Sequence, residues 1–363
     1  MKKISQKWTR WLWLFLAETI VLLGCAAAFT ASVDPYQIYH PVSTGRPILD
    51  IRLQRFYVAG LARSSNYETA LLGTSMLENI PNSAVKRLCG GPAVNLCVSA
   101  ASIHEEAEVL KLALKHPGTK TVIATLDFNS LSGGVTGQVV NVHEIFPQYL
   151  YSDNVLEQLP YLLSWDSIGT AIHVLRGIPD EGETMNTNWP WKFPATMTFD
   201  AKSAVRGIDP ADINKKYGMT NLKLPAMEKV FADNIFPVIA GSKGVRIHFV
   251  FPPYSVLVWH DFAQRGQIPV YFAFKKWLIE QTRQYPEFDV VDFQDRADII
   301  TNMSLYADIY HSNEHIDEEM VYAACHGDEV LTNANFDART ESLLRLVKTT
   351  DPAQIVAAAR QLR

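Results

Sequence analysis

Short apolar segments rich in β-branched residues alternate with segments of helical period, and this alternation constrains the fold most strongly. The predicted strands lie at residues 68–74, 92–99, 121–128, 244–251 and 288–293. Helical periods lie between most of them and again near the C-terminus, at residues 103–115, 270–283, 317–322, 338–347 and 352–362. Short strands without polar alternation are typical of a parallel sheet covered on both faces. The sequence therefore predicts an α/β protein, a three-layer α/β/α sandwich around a mainly parallel five-stranded sheet.

The N-terminus departs from this pattern with an almost wholly apolar stretch at residues 11–33. It follows four basic residues, Lys2, Lys3, Lys7 and Arg10. Its length exceeds the roughly 20 residues that cross a bilayer as a helix, and Glu18 is its only charged residue. Because basic flanks stay on the cytoplasmic side, we predict a single-pass anchor with the N-terminus inside. Residues 11–33 then contact the lipid bilayer, and the body lies in the periplasm or extracellular space.

A cleaved leader is the rival interpretation of this stretch. Residues 22–25 read LLGC, which resembles a lipoprotein cleavage box with Cys25 as the lipidated residue. The apolar run continues past Cys25 through Phe29, however, where a lipidated cysteine is normally followed by a polar linker. The uncleaved anchor is therefore favoured, and cleavage or lipidation at Cys25 is left open.

Composition narrows the classes of function. The formal net charge is −5 and no block of Lys and Arg follows the N-terminal stretch, so nucleic acid is not a predicted partner. Four cysteines are too few for a disulfide scaffold, and none forms a zinc-type cluster with histidine, so no metal or other cofactor is predicted. Outside the cytoplasm one pair among Cys89, Cys97 and Cys325 can be oxidised, but the sequence leaves the pairing open.

The segment at about residues 129–240 interrupts the strand and helix alternation. It is too long for a simple crossover and is rich in turn residues, tryptophan and tyrosine. We interpret it as a cap over the carboxyl edge of the sheet, where ligands bind in open α/β proteins. The predicted organisation is an anchor at residues 1–33, a linker and amphipathic helix at 34–66, and a main domain at 67–363 that contains this insertion.

Two short signals far apart in the chain predict the chemistry. Residues 71–76 read LLGTSM, which places Ser75 at a predicted turn from a strand into a helix, whose N-terminus is expected to offer free N–H groups to an oxyanion. Residues 308–311 read DIYH in a polar loop. A serine hydroxyl attacks only when a base takes its proton. His311 suits the base, and Asp308, three residues earlier, suits a carboxylate that orients the imidazole. The plainer alternatives are a helix N-cap at Ser75, with the following helix opening there, and an exposed polar loop at residues 304–314.

A third signal is the small-residue run after the second predicted strand, where residues 94–102 read VNLCVSAAS. Small residues allow backbone to approach a ligand, so the N–H of Ala100 could join that of Ser75 in an oxyanion hole. Tight packing of a strand against a helix explains the same run equally well.

These signals, in this order, resemble the SGNH (GDSL-like) hydrolase superfamily, and most of all its membrane-anchored polysaccharide-acetylation branch. That branch includes the alginate O-acetylation proteins and, more distantly, the D-alanyl transfer protein of teichoic acid synthesis. The matching blocks are LLGTSM at 71–76, NLCVSA at 95–100, TLDF at 125–128, FPPY at 251–254 and DIYH at 308–311. The resemblance implies a flavodoxin-like sandwich with Ser75 as nucleophile, His311 as base and Asp308 as its partner.

The chain departs from the family's pattern at two positions. The second-block glycine is Ala100 here, and the third-block asparagine has no clear match, with Asn129 close but displaced. The implied oxyanion hole is therefore made by Ser75, Ala100 and, least securely, Asn129.

The resemblance implies an O-acetyltransferase or acetylesterase that acts on an exported or cell-envelope polysaccharide. A multi-pass membrane O-acyltransferase is its implied partner. A catalytically silent polysaccharide-binding or scaffold protein is the alternative from another class, and a secreted lipase-like hydrolase is a third.

Overall fold

The computed structural model describes residues 6–42, 49, 53–132, 146–177, 188–194, 196–218, 220–242 and 244–362. Lys2 and Lys3 of the predicted basic flank lie outside the described residues, as do 43–48 and 50–52 of the predicted linker. Residues 133–145, 178–187, 195 and 219 of the predicted insertion also lie outside them.

The described residues contain five strands and a larger number of helices. The strands are β1 (Thr69–Leu72), β2 (Ala93–Asn95), β3 (Thr121–Thr125), β4 (Arg246–Phe251) and β5 (Phe288–Asp292). The helices are α1 (Gln6–Val33), α2 (Gln54–Ser64), α3 (Asn82–Cys89), α4 (Ile103–Lys115), α5 (Gln148–Tyr151), α6 (Leu159–Leu163), α7 (Trp165–Arg176), α8 (Ala201–Ala204), α9 (Asn214–Tyr217), α10 (Leu224–Asn234), α11 (Phe236–Ile239), α12 (Val256–Gln264), α13 (Ile268–Gln281), α14 (Ala297–Ile300), α15 (Glu314–His326), α16 (Phe336–Thr349) and α17 (Pro352–Gln361). Of two 3₁₀ helices, Phe128–Ser132 follows β3. The other, Met303–Leu305, precedes the loop that carries His311.

The sheet confirms the predicted α/β class and the five strands. Its order is β2-β1-β3-β4-β5, and every neighbouring pair is parallel. Each strand is shorter than the apolar run that predicts it. In β1, β2, β3 and β5 the carboxyl part of the run turns out of the ladder, whereas β4 lacks the first two residues of its run. Since parallel strands run toward the same edge, the loops that follow β1, β2 and β3 leave the sheet together. Ser75, Ala100 and Asp127 belong to those three loops.

Burial explains why the strands are apolar throughout. All four residues of β1 are buried, as are five of the six in β4. The helix after β2 begins at a capping box, in which the Ser102 hydroxyl accepts from the Glu105 N–H and the Glu105 carboxylate accepts from the Ser102 N–H. Such reciprocal capping satisfies N–H groups that a helix start leaves without partners, so it fixes where the small-residue run ends.

The chain divides into two compact units. One contains residues 1–65 and 147–184, and the other contains residues 66–146 and 185–363. The second unit carries all five strands. The segment that the sequence predicts as one insertion, residues 129–240, is shared between the two units.

The first unit is built on α1. Among the described residues, Trp8–Val33 is the one helix long and apolar enough to cross a membrane, judged by length and composition. After it, the Asp34 carboxylate accepts from the backbone N–H groups of Ile38, Tyr39 and His40, at 2.7–3.0 Å, and from the hydroxyl of Tyr161 in α6, at 2.6 Å. A buried carboxylate with four donors fixes a sharp turn, so the chain folds back on the end of α1 instead of extending from it.

A disulfide in the second unit resolves the open cysteine pairing. Cys89 at the end of α3 bonds Cys325 in α15, with the two Cα atoms 5.5 Å apart, while Cys97 is free and buried. Helix α3 follows the Ser75 loop and α15 follows the His311 loop. The disulfide therefore ties together the two helices that leave the predicted nucleophile and base.

Candidate active site

The Ser75 loop is a turn and not the start of a helix. Ser75 and Met76 lie in a hydrogen-bonded turn after β1, closed by the Leu77 N–H donating to the Thr74 carbonyl, and α3 begins only at Asn82. The expectation of a helix N-terminus directly after Ser75 is therefore wrong, and so is the N-cap alternative. Polar groups near the hydroxyl come from the turn and from neighbouring loops.

Gly73 is required by this turn for two reasons. Its φ is +118°, a region that residues with a Cβ rarely adopt. A Cβ there would also lie 2.0 Å from the Thr125 Oγ1. The absence of a side chain thus lets the carboxyl ends of β1 and β3 approach closely.

The base loop, residues 306–312, is a short hairpin held to the end of β4. Tyr306 and Ser312 form an antiparallel bridge, and the Tyr306 hydroxyl donates to the Pro253 carbonyl at 2.9 Å. The Ser255 N–H donates to the Ile309 carbonyl at 3.1 Å. The FPPY block therefore supports the loop that carries His311, and the two blocks meet although about 55 residues of chain lie between them.

The three predicted catalytic side chains form one line of hydrogen bonds. Ser75 Oγ lies 2.8 Å from His311 Nε2, and His311 Nδ1 lies 2.8 Å from Asp308 Oδ2. The other carboxylate oxygen, Oδ1, accepts from the backbone N–H groups of Tyr310 and His311. With the Nδ1 proton donated to Asp308, Nε2 is left to accept the serine proton, which is the tautomer that a general base needs.

Electrostatics around the imidazole favour its charged form. Burial alone would lower the pKa of His311, but the hydrogen bond to Asp308 and the negative charges of Asp308, Glu78 and Asp127 outweigh it and raise that pKa. For Asp308, burial is likewise outweighed by the bond and charge of His311 and by two backbone N–H donors, so its pKa is lowered. The line is thus arranged to stabilise an imidazolium beside a carboxylate.

The predicted oxyanion residues lie on the other side of the serine. Ala100 has a φ of +52°, so it adopts the left-handed conformation that glycine favours. Ser75, Ala100 and Asn129 all line the same cavity. Asn129 is exposed, and its backbone N–H donates to Asp127 Oδ1 at 2.9 Å. The structure therefore brings all three to one cavity, but neither the Ala100 N–H nor the Asn129 side chain forms a hydrogen bond to Ser75 or His311 among the described residues.

Asn95 and Ser99 of the second block hold the segment that follows Ser75 by hydrogen bonds. The Asn95 side-chain amide donates to the carbonyls of Glu78 and Ile80, at 2.9 and 3.3 Å, and the Ser99 hydroxyl donates to the Glu78 carboxylate at 2.7 Å. Buried bonds of this kind fix the segment that follows Ser75. They give the second block a positioning role that its sequence does not reveal.

Asp127 is a residue to which the sequence assigned no role. It is buried at the end of β3 and lines the cavity; Oδ1 accepts from the Tyr254 hydroxyl at 2.5 Å, and Oδ2 lies 3.5 Å from the Thr74 hydroxyl. Burial raises the pKa of Asp127 despite these donors. Its position at the end of a predicted strand already places it at the ligand edge in the sequence, since such ends face that edge in parallel sheets. The sequence did not predict its buried bond to Tyr254.

Phe193 was also missed. Its ring packs edge-on against the His311 imidazole, with centroids 5.8 Å apart and planes at 89°, and its N–H donates to Asn79 Oδ1. The neighbouring Trp191 is fully buried and donates its indole N–H to the Asn95 carbonyl. No local pattern distinguishes these aromatics from ordinary core residues. Phe193 holds the plane of the imidazole from the side.

The cavity has a volume of about 370 Å³. Small side chains form much of its wall, among them Ala100, Ala101, Ser130, Ser132 and Gly218. Three larger depressions in the described part of the chain, of about 740, 820 and 400 Å³, contain neither Ser75 nor His311. A search of the described residues finds no group of three or more His, Cys, Asp or Glu side chains that could hold a metal ion.

Comparisons with protein-family models, curated proteins and solved structures found no match. Function therefore has to be inferred from the chemistry of this cavity.

Proposed function

We propose that the protein is a membrane-tethered serine acyl-ester enzyme of the SGNH type, facing the periplasm or cell exterior. The observation that carries the proposal is the line from Ser75 through His311 to Asp308, with both hydrogen bonds at 2.8 Å at the edge where parallel strands present ligands. The three-layer sandwich and the cap belong to this proposal, as does the anchor in α1 with the N-terminus inside.

The reaction proceeds in two halves. Ser75 Oγ attacks the ester carbonyl carbon while its proton passes to His311 Nε2, and the carbonyl oxygen becomes an oxyanion facing Ser75 and Ala100 N–H groups. The carbon–oxygen bond to the alcohol breaks, and the alcohol oxygen takes the proton from His311. Water or a sugar hydroxyl then gives a proton to His311 and attacks the acyl-Ser75 carbonyl. Ser75 leaves and regains its proton from His311.

A short acyl group fits this cavity best. The small side chains around Ala100 and the modest volume suit an acetyl group, whereas a long acyl chain needs an extended apolar channel. This favours O-acetyl groups on a polysaccharide over the lipase-like alternative. Esterase and transferase share every step up to the acyl-enzyme, and they differ only in whether water or a sugar hydroxyl resolves it.

A fluorophosphonate probe tests the proposal on the full-length protein. Active protein is expected to form a covalent adduct on Ser75, located by peptide mass spectrometry, and to hydrolyse a chromogenic acetyl ester faster than longer-chain esters. Ser304→Ala is the matched control, since Ser304 is exposed and does not line the cavity. A folded protein that neither labels at Ser75 nor hydrolyses any acyl ester would contradict the proposal.

A catalytically silent polysaccharide-binding role is the second candidate. It is favoured by the exposed Asn129, which is displaced from the position where enzymes of the SGNH superfamily hold an asparagine donor. Polysaccharide binding without labelling of Ser75 in folded protein would support it. The same pair of measurements therefore separates the two functions.

A further inference from the structure

The turn before α6, together with α6 and α7, exposes several large apolar side chains in the first unit. We define the exposed apolar set as Val155, Leu156, Leu159, Trp165 and Leu175. Leu156 is 73% exposed and Trp165 is 83% exposed. Exposed apolar surface on this scale marks contact with another protein or with a membrane.

The exposure of α1 locates the edge of the bilayer. From Trp8 to Cys25 its side chains are exposed, with Thr19 alone half-buried. Half-buried side chains recur from Ala26 onward, and Thr30 and Val33 are buried. The 18 residues from Trp8 to Cys25 span about 27 Å of helix, close to the roughly 30 Å hydrocarbon thickness of a bilayer. The hydrocarbon boundary therefore falls near Cys25.

Helices α6 and α7 pack on α1 just beyond that boundary. Val33, Ala171 and Val174 form a buried cluster against which Phe29 packs. Phe29 lies four residues beyond Cys25, a rise of about 6 Å. The polar layer of a bilayer extends about 5–8 Å beyond the hydrocarbon, so Phe29 lies at its depth and Val33, about 12 Å beyond Cys25, lies just outside it. The cluster that includes Val174 therefore begins within the polar layer.

We propose that α6, α7 and the turn before them rest on the outer lipid surface, with the exposed apolar set in the boundary between headgroups and acyl chains. The lipid surface is the occupant because α6 and α7 pack on the end of α1 that directly follows its exposed, membrane-spanning part. Tryptophan is enriched at this depth, which suits Trp165. Arg176 directly follows Leu175 and is exposed, so its guanidinium can reach lipid phosphates. The inference rests on the membrane tether in the proposed function and is independent of the acyl chemistry.

Spin labels on the full-length protein in nanodiscs of phosphatidylethanolamine and phosphatidylglycerol test the inference. Single cysteines replace residues of the set in Leu156→Cys, Trp165→Cys and Leu175→Cys, on a Cys25→Ser background in which the remaining free Cys97 is buried. Glu157→Cys and Asp166→Cys are matched controls, because each is an exposed acidic neighbour of a residue in the set. A label at Leu16→Cys reports whether α1 itself lies within the bilayer.

Labels at 156, 165 and 175 are expected to collide with dissolved oxygen more often than the controls and with a water-soluble nickel complex less often. The ratio of the two accessibilities should exceed that of the acidic controls at least about threefold, as expected for residues seated at a lipid boundary. Water-like values at all three positions, with the label at 16 immersed, overturn the inference and leave the tether intact. That result would indicate that the exposed apolar set binds a partner protein, which the nanodiscs do not contain. Water-like values at 16 as well overturn the tether itself.

Discussion

The base side and the oxyanion side of the cavity are constructed differently. On the base side, Ser75, His311 and Asp308 are joined by side-chain hydrogen bonds and held by a bridged hairpin. On the oxyanion side, Ala100 and Asn129 line the cavity without such bonds. The base side is thus organised before substrate arrives, whereas the oxyanion donors acquire their partner only when charge develops on the substrate oxygen. Variants on the two sides should therefore differ in size of effect and in additivity.

The largest effect is expected from removing the nucleophile or the base. Ser75→Ala and His311→Ala should each lower kcat for acetyl-ester hydrolysis about 10^5-fold, because each leaves the other without its partner. The double variant should lose no more than either single one, since the pair acts as one unit. Circular dichroism checks folding, and Ser304→Ala serves as control. Additive losses in the double variant would show that the two residues act independently.

Asp308→Asn should cost about 10^4-fold in kcat, because the amide no longer fixes the His311 tautomer or stabilises the imidazolium. The pH profile gives a second readout. Activity requires neutral His311, so it rises as pH increases through the His311 pKa, which Asp308 raises. The acid limb of kcat/KM should therefore move to lower pH in Asp308→Asn. An unchanged limb would mean that Asp308 does not set the titration of the base.

Asn129→Ala tests the oxyanion side with a smaller expected loss, at most about tenfold in kcat. A held oxyanion donor is worth about a hundredfold or more, but the Asn129 side chain is exposed and less fixed in place. Asn129→Asp is the matched variant, since it keeps the size and removes the amide donor. Losses above a hundredfold in both variants would show that the oxyanion side is as organised as the base side.

Ala100→Gly should have the smallest effect on rate and a measurable effect on stability. Glycine keeps the backbone N–H and adopts a φ of +52° without the strain that alanine bears. We expect kcat within about threefold of the parent, and a free energy of unfolding higher by about 0.5–1 kcal/mol from urea titration. Ala100→Val should be destabilised at the same φ. A lower free energy of unfolding in Ala100→Gly would contradict the claim that Ala100 is strained at its positive φ.

Much of the fold could be predicted because its signals are local. The apolar run at residues 121–128 indicates a buried strand through side-chain type alone, and β3 lies within it. The LLGTSM and DIYH blocks are also local, and they sufficed to select Ser75 and His311 as a pair. The helix predicted at residues 103–115 is α4 residue for residue, since its capping residue Ser102 and its apolar period are both visible in the sequence.

The remaining features depend on where distant segments meet. Phe193 reaches His311 across more than a hundred residues, and Tyr254 reaches Asp127 across a similar span. The cysteine pairing was open for the same reason, because Cys89 and Cys325 are 236 residues apart. The left-handed Ala100 was hidden too, since alanine carries no local signal for a positive φ.

The amino-acid sequence by itself determined the α/β class, the five strands, the apolar N-terminal helix and the choice of a serine, a histidine and an aspartate for the hydrogen-bonded line. It could do so because periodicity and short blocks act over neighbouring residues. Only the tertiary structure decided that Ser75, His311 and Asp308 lie within hydrogen-bond distance, that Ser75 occupies a turn, and that Asp127 and Phe193 flank the site. It also divided the predicted insertion between two units. The physical reason is that contacts across a parallel sheet depend on strand order and loop closure, which no local pattern encodes.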